Sequence, residues 1–323
     1  DRTSPLFFLS YGGDVGSHYQ HVFRYGMRKL QGPSYGDGLG LWLDNGAGAY
    51  PSSWEMERKD FRDDLSNVAY SAIWHPTHRV ELSGSVLYAR ENESNCEQSF
   101  GVWAYNVASL SPQSMTVTAN LGDVSLFVQD ATNWHDHMVS SLRMHTNFKG
   151  WDTNMAWAFD KATRHLVLDA MTFYGSSSSD VTPFMAMDWT NARRPSITWG
   201  DGVFAEINTA QNFGLGYKRS TSYPRFDKQN LWKLDVAREL VVYGRPSQLT
   251  LGTSITSRVK KVTQERNYYN SGGMNVADFS VEQVDWPATF NNTQFPLMPS
   301  ESAVSAAFAP GMDSAIYRTR IYY

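Results

Sequence analysis

The sequence alternates between apolar and polar residues with a period of two, and this pattern constrains the fold more than any other feature. It is clearest in residues 79–90, 151–159 and 248–259. One alternating set in each stretch is mainly apolar: Val80, Leu82, Gly84, Val86 and Tyr88; Trp151, Thr153, Met155, Trp157 and Phe159; Leu249, Leu251, Thr253, Ile255 and Val259. Successive side chains of a β-strand point to opposite faces, so the pattern predicts strands with one apolar and one polar face.

Short and long connections separate the alternating stretches. The short ones contain turn-forming residues and lie at 75–78, 111–113, 160–163 and 243–247. The longer polar stretches lie at 31–38, 48–67, 90–98, 175–182, 220–230 and 262–313. Short connections of this type join antiparallel neighbours, and no shift in composition marks a domain boundary. We therefore expect a single all-β domain over residues 1–323.

The composition is that of a folded chain and excludes several classes. The 323 residues are 19% charged and 14% aromatic, with one cysteine and a net charge of -4. A disordered chain would have fewer aromatic residues and more charge, and a disulfide-rich scaffold would have many cysteines. No apolar run reaches the roughly 18–20 residues of a membrane-spanning helix. The acidic balance argues against nucleic acid as a partner.

Two architectures produce this periodicity at this length. A soluble β-sandwich or jelly roll buries its apolar face in a protein core and exposes its polar face to water. A transmembrane β-barrel turns its apolar face to lipid and its polar face to the lumen. Periodicity alone does not separate the two.

Three further features favour the barrel. Tight turns and long polar loops tend to alternate along the chain, as short periplasmic and long external connections do in a barrel. Aromatic residues fall near the predicted strand ends, where a barrel places them at the membrane interfaces: Tyr19, Trp42, Trp74, Tyr88, Trp151, Tyr174, Tyr217, Trp232, Tyr243 and Tyr323. The last ten positions alternate, with one face carrying Ala315, Tyr317, Thr319, Ile321 and Tyr323. In this final strand the sequence resembles Gram-negative outer-membrane β-barrel proteins.

The resemblance implies an antiparallel β-barrel embedded in the lipids of the cell outer membrane. About 20–23 residues per strand and connection give roughly 14–16 strands, enough for an aqueous lumen. The nearest similarity is to monomeric oligosaccharide channels, which implies a diffusion channel for small hydrophilic solutes, most of all saccharides. We expect residues 1–15 to face the lumen, and residues 262–313 to form a long loop before the last strand that is able to constrict the mouth.

The polar alternate positions would line that lumen. They carry both signs of charge together with hydroxyl and amide groups, a mixture that suits a neutral hydroxylated solute, and rings on the same face would stack on sugar rings. The candidate solute-binding residues are Arg24, Arg28, Glu81, Trp103, Tyr105, Asp152, Asp169, Phe173, Trp189, Glu206, Arg258, Arg318 and Arg320. Further lumen positions are Gln20, Asp44, Ser83, Ser85, Asn154, Lys218, Lys233, Asp235, Phe127, Phe204 and Tyr322.

No catalytic motif is present, and we expect the protein not to be an enzyme. His135 and His137 offer two imidazoles, but a metal site would need a third ligand from elsewhere. We therefore expect neither a metal nor a cofactor. Three alternatives stay open: the barrel of an exopolysaccharide exporter, a viral capsid jelly-roll protein, and a secreted carbohydrate-binding β-sandwich.

Overall fold

The computed structural model describes residues 5–44, 46, 48–175, 180–191, 196–269, 272–284, 296–308 and 317–322. Its strands are β1 (Leu6–Val15), β2 (Tyr19–Leu39), β3 (Trp42–Asp44), β4 (Ala49–Pro51), β5 (Ser53–Thr77), β6 (Val80–Trp103), β7 (Val107–Leu110), β8 (Ser114–Asn120), β9 (Val124–Phe148), β10 (Trp151–Gly175), β11 (Asp180–Asp188), β12 (Ser196–Trp199), β13 (Phe213–Val242), β14 (Arg245–Tyr269), β15 (Val281–Gln283), β16 (Leu297–Pro299) and β17 (Tyr317–Tyr322). Short α-helices span Val203–Ile207 (α1) and Glu301–Ala307 (α2). The chain is all-β in class, which confirms that part of the prediction.

One large antiparallel sheet dominates the structure. Its nine strands follow the order β1-β2-β5-β6-β9-β10-β13-β14-β17. The seven inner strands contain 21 to 30 residues, and a strand of 25 residues is about 80 Å long at roughly 3.3 Å per residue. The sheet is not closed, because within the described residues β1 pairs only with β2 and β17 only with β14.

The two ends of the large sheet differ. All tight turns between its long strands lie at one end, the hairpin end: residues 16–18, 78–79, 149–150 and 243–244. Lys149 and Gly150 have φ of 52° and 77°, and Tyr243 and Gly244 have φ of 51° and 73°. Positive φ at both central positions is the type I′ geometry, whose twist matches that of the flanking strands. The long connections all lie at the opposite end, the loop end, and both edge strands run from the loop end to the hairpin end.

Strand register places the apolar sets on one face of the sheet. A single transverse row, in which each residue is opposite the next, contains Val15, Tyr19, Trp74, Leu82, Met144, Met155, Leu234 and Thr253. We call the face that carries this row face A. The neighbouring row, on face B, contains Glu81, His145, Asn154, Asp235 and Gly252. The alternation predicted for residues 79–90, 151–159 and 248–259 is therefore confirmed.

The hydrophobic core lies at the loop end, against face A. There the long strands contribute buried side chains such as Trp54, Phe100, Leu126 and Phe173. They are covered by a small sheet of order β12-β11-β8-β7, by α1, and by α2, which contacts β9 and β10. We call these covering elements the cap. Burial of these side chains holds the long connections in place at about 1.5–3 kcal/mol per large apolar residue.

Toward the hairpin end both faces of the sheet are uncovered. The chain exposes 18904 Å², whereas a folded monomer of this mass is expected to expose about 13,500 Å². Large apolar side chains contribute to the excess, among them Trp232, Leu251 and Ile255, which are 56%, 61% and 66% exposed. Within the described residues no helix is both long and apolar enough to cross a membrane.

Several sequence expectations differ from this fold. Within the described residues the large sheet has nine strands rather than roughly 14–16, because each strand continues well beyond its alternating stretch. The polar stretches 31–38, 90–98 and 220–230 lie inside strands, as do residues 53–67 of the stretch 48–67. The expected turn at 160–163 is in the middle of β10. Since neither face is apolar over much of these stretches, the period of two is lost there.

The two segments expected near the mouth are also structured differently. Residues 6–15, expected in the lumen, form edge strand β1, and residues 1–4 lie outside the described part. The expected loop at 262–313 begins only after β14 ends at residue 269. Its described part contains β15, β16 and α2, and it buries Val276, Met298 and Val304 in the core.

Candidate functional site

An uncharged band covers face A in the hairpin half of the sheet. We call it the apolar band: Phe7, Leu9, Tyr11, Gly13, Val15, Tyr19, His21, Phe23, Tyr25, Met27, Ser66, Val68, Tyr70, Ala72, Trp74, Val80, Leu82, Gly84, Val86, Tyr88, Met138, Ser140, Leu142, Met144, Thr146, Trp151, Thr153, Met155, Trp157, Phe159, Asn230, Trp232, Leu234, Val236, Leu249, Leu251, Thr253, Ile255, Ser257 and Val259. None of these residues is Asp, Glu, Lys or Arg. The row at the hairpin edge of the band also contains Arg238, which is opposite Trp151 and Leu249.

A line of charged residues bounds the apolar band on the side of the loop end. From the apolar band toward the loop end, the first charged residues of face A on successive strands from β2 to β14 are Lys29, Asp64, Arg90, Asp136, Lys161, Lys228 and Lys261. Arg90 Nε lies 3.7 Å from Asp136 Oδ1. The Lys228 ammonium lies 5.6 Å from the centre of the Phe159 ring. Long cationic side chains that cover a ring while keeping the charge in water are typical of a polar–apolar boundary.

Face B of the same half is charged. Over the same length of strand it carries Asp14, Arg24, Arg28, Glu81, Arg143, Asp152, Lys233, Asp235 and Arg258. Many of these side chains form ion pairs on the face. Arg28 Nη2 lies 2.6 Å from Asp63 Oδ2, and Arg258 pairs with Asp227.

A groove of about 590 Å³ lies on face B between β6 and β13. Register arranges the face B residues of its lining, together with the adjacent Ser85, in three transverse rows. The rows are Glu81-His145-Asn154-Asp235, Ser83-Arg143-Ala156-Lys233 and Ser85-Ser141-Ala158-Leu231. Ser85, Ser141 and Ala158 of the third row are small, which leaves open space beside the charged rows. The groove therefore offers hydrogen-bond donors and acceptors, including side chains of positive and of negative charge.

The polar groups of the groove are only partly satisfied by one another. Lys233 Nζ lies 2.6 Å from Asp235 Oδ2, and His145 Nδ1 lies 3.2 Å from Asp152 Oδ1. The exposed Arg143 has no hydrogen-bond or ion-pair partner within the described part of the chain. Its nearest cross-strand neighbours are Ser83 and Ala156, which are too small to cover it. Five N–H donors of this guanidinium are therefore directed to solvent.

No model of a known protein family matches this chain. No curated protein matches it at a significant level. The geometry of the two faces is therefore the basis for its functional interpretation.

Some predicted solute-binding residues lie on face B. These are Arg24, Arg28, Glu81, Trp103, Asp152 and Arg258. Glu81 lines the groove, and Asp152 borders it through its contact with His145. Trp103 lies at the loop end and stacks with Tyr105, which is in the connection after β6 and is 68% exposed.

Other predicted solute-binding residues lie elsewhere. Phe173 and Trp189 are 0% and 7% exposed in the core, so their rings are not accessible to a solute. Glu206 lies in α1, not in a strand. Asp169 lies on face A, opposite Asp130. These four predictions assumed that the alternation of an apolar and a polar face continues to the loop end. It does not, because face A is covered there by the cap.

Two further predicted residues lie in the edge strand β17. Arg318 is opposite Asn267 and Arg320 is opposite Glu265 in β14. Lys218, another expected lumen position, is 2% exposed and lies over the rings of Tyr269 and Phe308.

The sequence analysis missed Arg143, His145 and Ser141 of the groove. A signal was present, because residues 138–146 alternate between Met138, Ser140, Leu142 and Met144 on face A and these residues on face B. His135 and His137 also lie on face B, 6.2 Å apart between ring centres. Among the described residues no group of three His, Cys, Asp or Glu side chains is arranged to hold a metal ion.

A partly buried acidic row lies under the cap on face A. Register places Asp60, Cys96, Asp130 and Asp169 opposite one another on β5, β6, β9 and β10. Burial raises the pKa of Asp130, and the charges of Glu301 in α2 and of Asp169 raise it further. Burial likewise raises the pKa of Asp169. Burial together with nearby carboxylates raises the pKa of the Cys96 thiol to about 12, so this thiol is inert as a nucleophile.

Proposed function

We propose that the hairpin half of the large sheet spans the outer membrane as part of a β-barrel, and that face B lines an aqueous channel for hydrophilic solutes. The membrane-spanning segments are the stretches of β1, β2, β5, β6, β9, β10, β13 and β14 that carry the apolar band. The loop halves of the strands and the cap then lie outside the bilayer.

The single observation that carries this proposal is the contrast between the two faces. The apolar band contains no Asp, Glu, Lys or Arg, and Arg238 lies only at its hairpin edge, whereas face B carries charges on nearly all of the eight strands. In a transmembrane barrel, lipid-facing and lumen-facing residues alternate in this way. A charged residue on the lipid face would cost about 2–4 kcal/mol at the bilayer midplane.

The dimensions of the apolar band support the same proposal. It covers residues 151–159 of β10 and 249–259 of β14, and a tilted strand needs about 9–11 residues to cross the hydrocarbon core. Rings lie at its hairpin edge, where Tyr19 of β2 is opposite Trp74 of β5. Amphipathic rings are favoured at membrane interfaces.

The groove chemistry supports hydrophilic solutes, with oligosaccharides the best fit. Arg143 and Lys233 donate hydrogen bonds, Glu81 and Asp235 accept them, and Ser83 can do both. Hydroxyl groups of a neutral solute can pair with each of these.

Lipid contact can be tested by tryptophan fluorescence quenching in vesicles of brominated phosphatidylcholine. Trp74, Trp151, Trp157 and Trp232 belong to the apolar band, and we expect brominated lipid to quench them. Replacing these four with Phe should remove most of the quenching. The matched control replaces Trp54, Trp189 and Trp199 of the capped end, which lie outside the proposed bilayer region, and should leave it unchanged.

The opposite result would support a soluble protein. If the chain is soluble without detergent and brominated vesicles do not quench it, the apolar band must be covered by protein. A jelly roll or sandwich packs two sheets face to face, and a second copy over the apolar band would give such a sandwich. Release of a disaccharide or of a long polysaccharide from loaded vesicles that contain the protein separates a diffusion channel from an exopolysaccharide exporter.

A further inference from the structure

Four aromatic rings gather on face B at the loop end. They lie on or beside β6, β10 and β13, and β6 and β13 are about 14 Å apart at roughly 4.8 Å per strand spacing. Trp103 and Tyr105 are nearly parallel, with ring centres 6.3 Å apart and planes at 15°. They are 44% and 68% exposed, and Tyr174 of β10 is 45% exposed. Tyr217 of β13 follows, with the Arg219 guanidinium 5.8 Å from its ring centre. We call these four rings the aromatic platform.

The backbone beneath the aromatic platform is built from small residues. Gly101, Ser125 and Gly214 lie in one transverse row with Tyr174. A Cβ at Gly216 would lie 2.4 Å from two atoms of the Tyr174 ring, so this ring rests directly against the backbone of β13. The small residues of this row leave the surface of face B low beside the four rings of the aromatic platform.

The polar groups of the aromatic platform have no hydrogen-bond partners among the residues that the structure describes. The indole N–H of Trp103 and the hydroxyls of Tyr105, Tyr174 and Tyr217 make no hydrogen bond to any residue that the structure describes. Arg219 Nε is buried and also without a partner there. Glu55, exposed at the end of the same row, adds a carboxylate acceptor. Donors and acceptors that the protein does not satisfy are available to a ligand.

We propose that the aromatic platform is a binding site for oligosaccharides at the loop-end mouth of the path along face B. The site rests on the proposed function, in which face B is the solute path. A pyranose ring presents C–H groups on its faces and hydroxyls around its edge. The electron-rich face of an aromatic ring attracts the C–H groups, while the phenols, Arg219 and Glu55 can bond the hydroxyls. One pair of rings lies on β6 and the connection after it, and the other pair lies on β10 and β13. Two such pairs fit a chain of several sugar units better than a single sugar unit.

The test measures binding of maltohexaose to the full chain in detergent, by tryptophan fluorescence and by equilibrium dialysis. We expect saturable binding that weakens about tenfold in Trp103→Ala and Tyr105→Ala, the scale of one lost aromatic contact, and that recovers in Trp103→Phe. The matched control is Trp42→Ala, because Trp42 is also an exposed tryptophan of the loop end, at 51%, and lies outside the aromatic platform. It should bind normally.

Three results would overturn the proposal. The first is absence of saturable maltohexaose binding by a chain whose circular dichroism shows the native β-sheet, and the second is an equal loss in Trp42→Ala and Trp103→Ala. The third is binding of adenosine monophosphate in place of the sugar, since bases stack on rings as well. None of these measurements requires membrane insertion, so failure of sugar binding is distinct from failure of the proposed lipid contact.

Discussion

Asp130 of β9 and Asp169 of β10 lie directly opposite each other on face A, beneath α2. Burial raises the pKa of both carboxyl groups, and the charge of Asp169 raises the pKa of Asp130 further because like charges disfavour the ionised form. Glu301 of α2 adds a third negative charge near Asp130, and Lys218 of β13 offsets part of it at Asp169. At neutral pH the cap therefore packs over two carboxylates of like charge, which oppose its packing.

This pair predicts that the cap is more stable in mild acid. The folded-state pKa of each aspartate is raised, so the folded state binds protons more tightly than the unfolded state. Stability falls as pH rises from about 4, the unfolded value, through the raised pKa, and it is regained on acidification. We expect Asp130→Asn to raise the thermal midpoint at pH 7 and to flatten its pH dependence. Asp201→Asn, at an exposed turn, should do neither; an equal effect there would contradict the explanation.

The apolar band predicts that neighbouring substitutions on β14 have opposite outcomes. Leu251 lies on face A and Thr250 on face B. We expect Leu251→Arg to destabilise the vesicle-inserted state by about 2–4 kcal/mol and Thr250→Arg by less than about 1 kcal/mol. Urea titration, followed by the amount of folded protein on unheated electrophoresis gels, measures the destabilisation in both variants. Equal tolerance of the two arginines would argue against lipid on face A.

Arg143 predicts the ion preference of the proposed channel. Its guanidinium is exposed and unpaired among the described residues, so it contributes a fixed positive charge to face B. We expect Arg143→Ala to shift the reversal potential in a salt gradient toward cation preference. Arg238→Ala changes the same charge on face A near the hairpin end, where the guanidinium lies 5.0 Å from the Trp151 ring centre. An identical shift in that control would place Arg143 outside the conducting path.

Two glycines of β13 predict how tightly Tyr174 is held. A Cβ at Gly216 would meet the Tyr174 ring at 2.4 Å, whereas a Cβ at Gly214 would meet nothing within 4 Å. We expect Gly216→Ala to displace the ring, to weaken maltohexaose binding and to cost about 1–3 kcal/mol of stability. Gly214→Ala should be close to neutral. Chemical denaturation and the binding assay measure both variants, and a neutral Gly216→Ala would show that Tyr174 is mobile.

Cys96 predicts a thiol that does not react while the protein is folded. It is 8% exposed, and its raised pKa of about 12 leaves almost no thiolate at pH 8. We expect alkylation by iodoacetamide to be at least about a hundredfold slower in the native chain than in denaturant. A cysteine introduced as Ser85→Cys, on face B, serves as the accessible control. Fast native labelling of Cys96 would mean that α2 opens readily over the acidic row.

The sequence predicted the hairpin half of the fold well, because there one face is apolar along nearly every strand. Leu82, Met155 and Thr253 were assigned to the apolar sets of three separate stretches, and the register brings them into one row. The type of fold and the polar residues Glu81 and Asp152 of face B follow from the same alternation.

The loop half was predicted poorly because its residues obey other constraints. Asp60 and Lys59 are both polar although they lie on opposite faces of β5, so period two gives no signal there. Phe173 keeps the alternation but is covered by the cap, and the sequence does not reveal which connection packs on it. Tyr174 and Tyr217 come together on β10 and β13 only through strand register, which includes a bulge beside Thr172.

The edge strands β1 and β17 run in the same direction, and this restricts the number of strands in any barrel that contains this sheet. Joining these two edges directly would create a parallel seam. A strand that pairs with β1 in the antiparallel sense must run from the hairpin end to the loop end, and an unbroken antiparallel ring built on these nine strands must contain an even total. The orientation of two edges thus limits the circumference that such a ring can have.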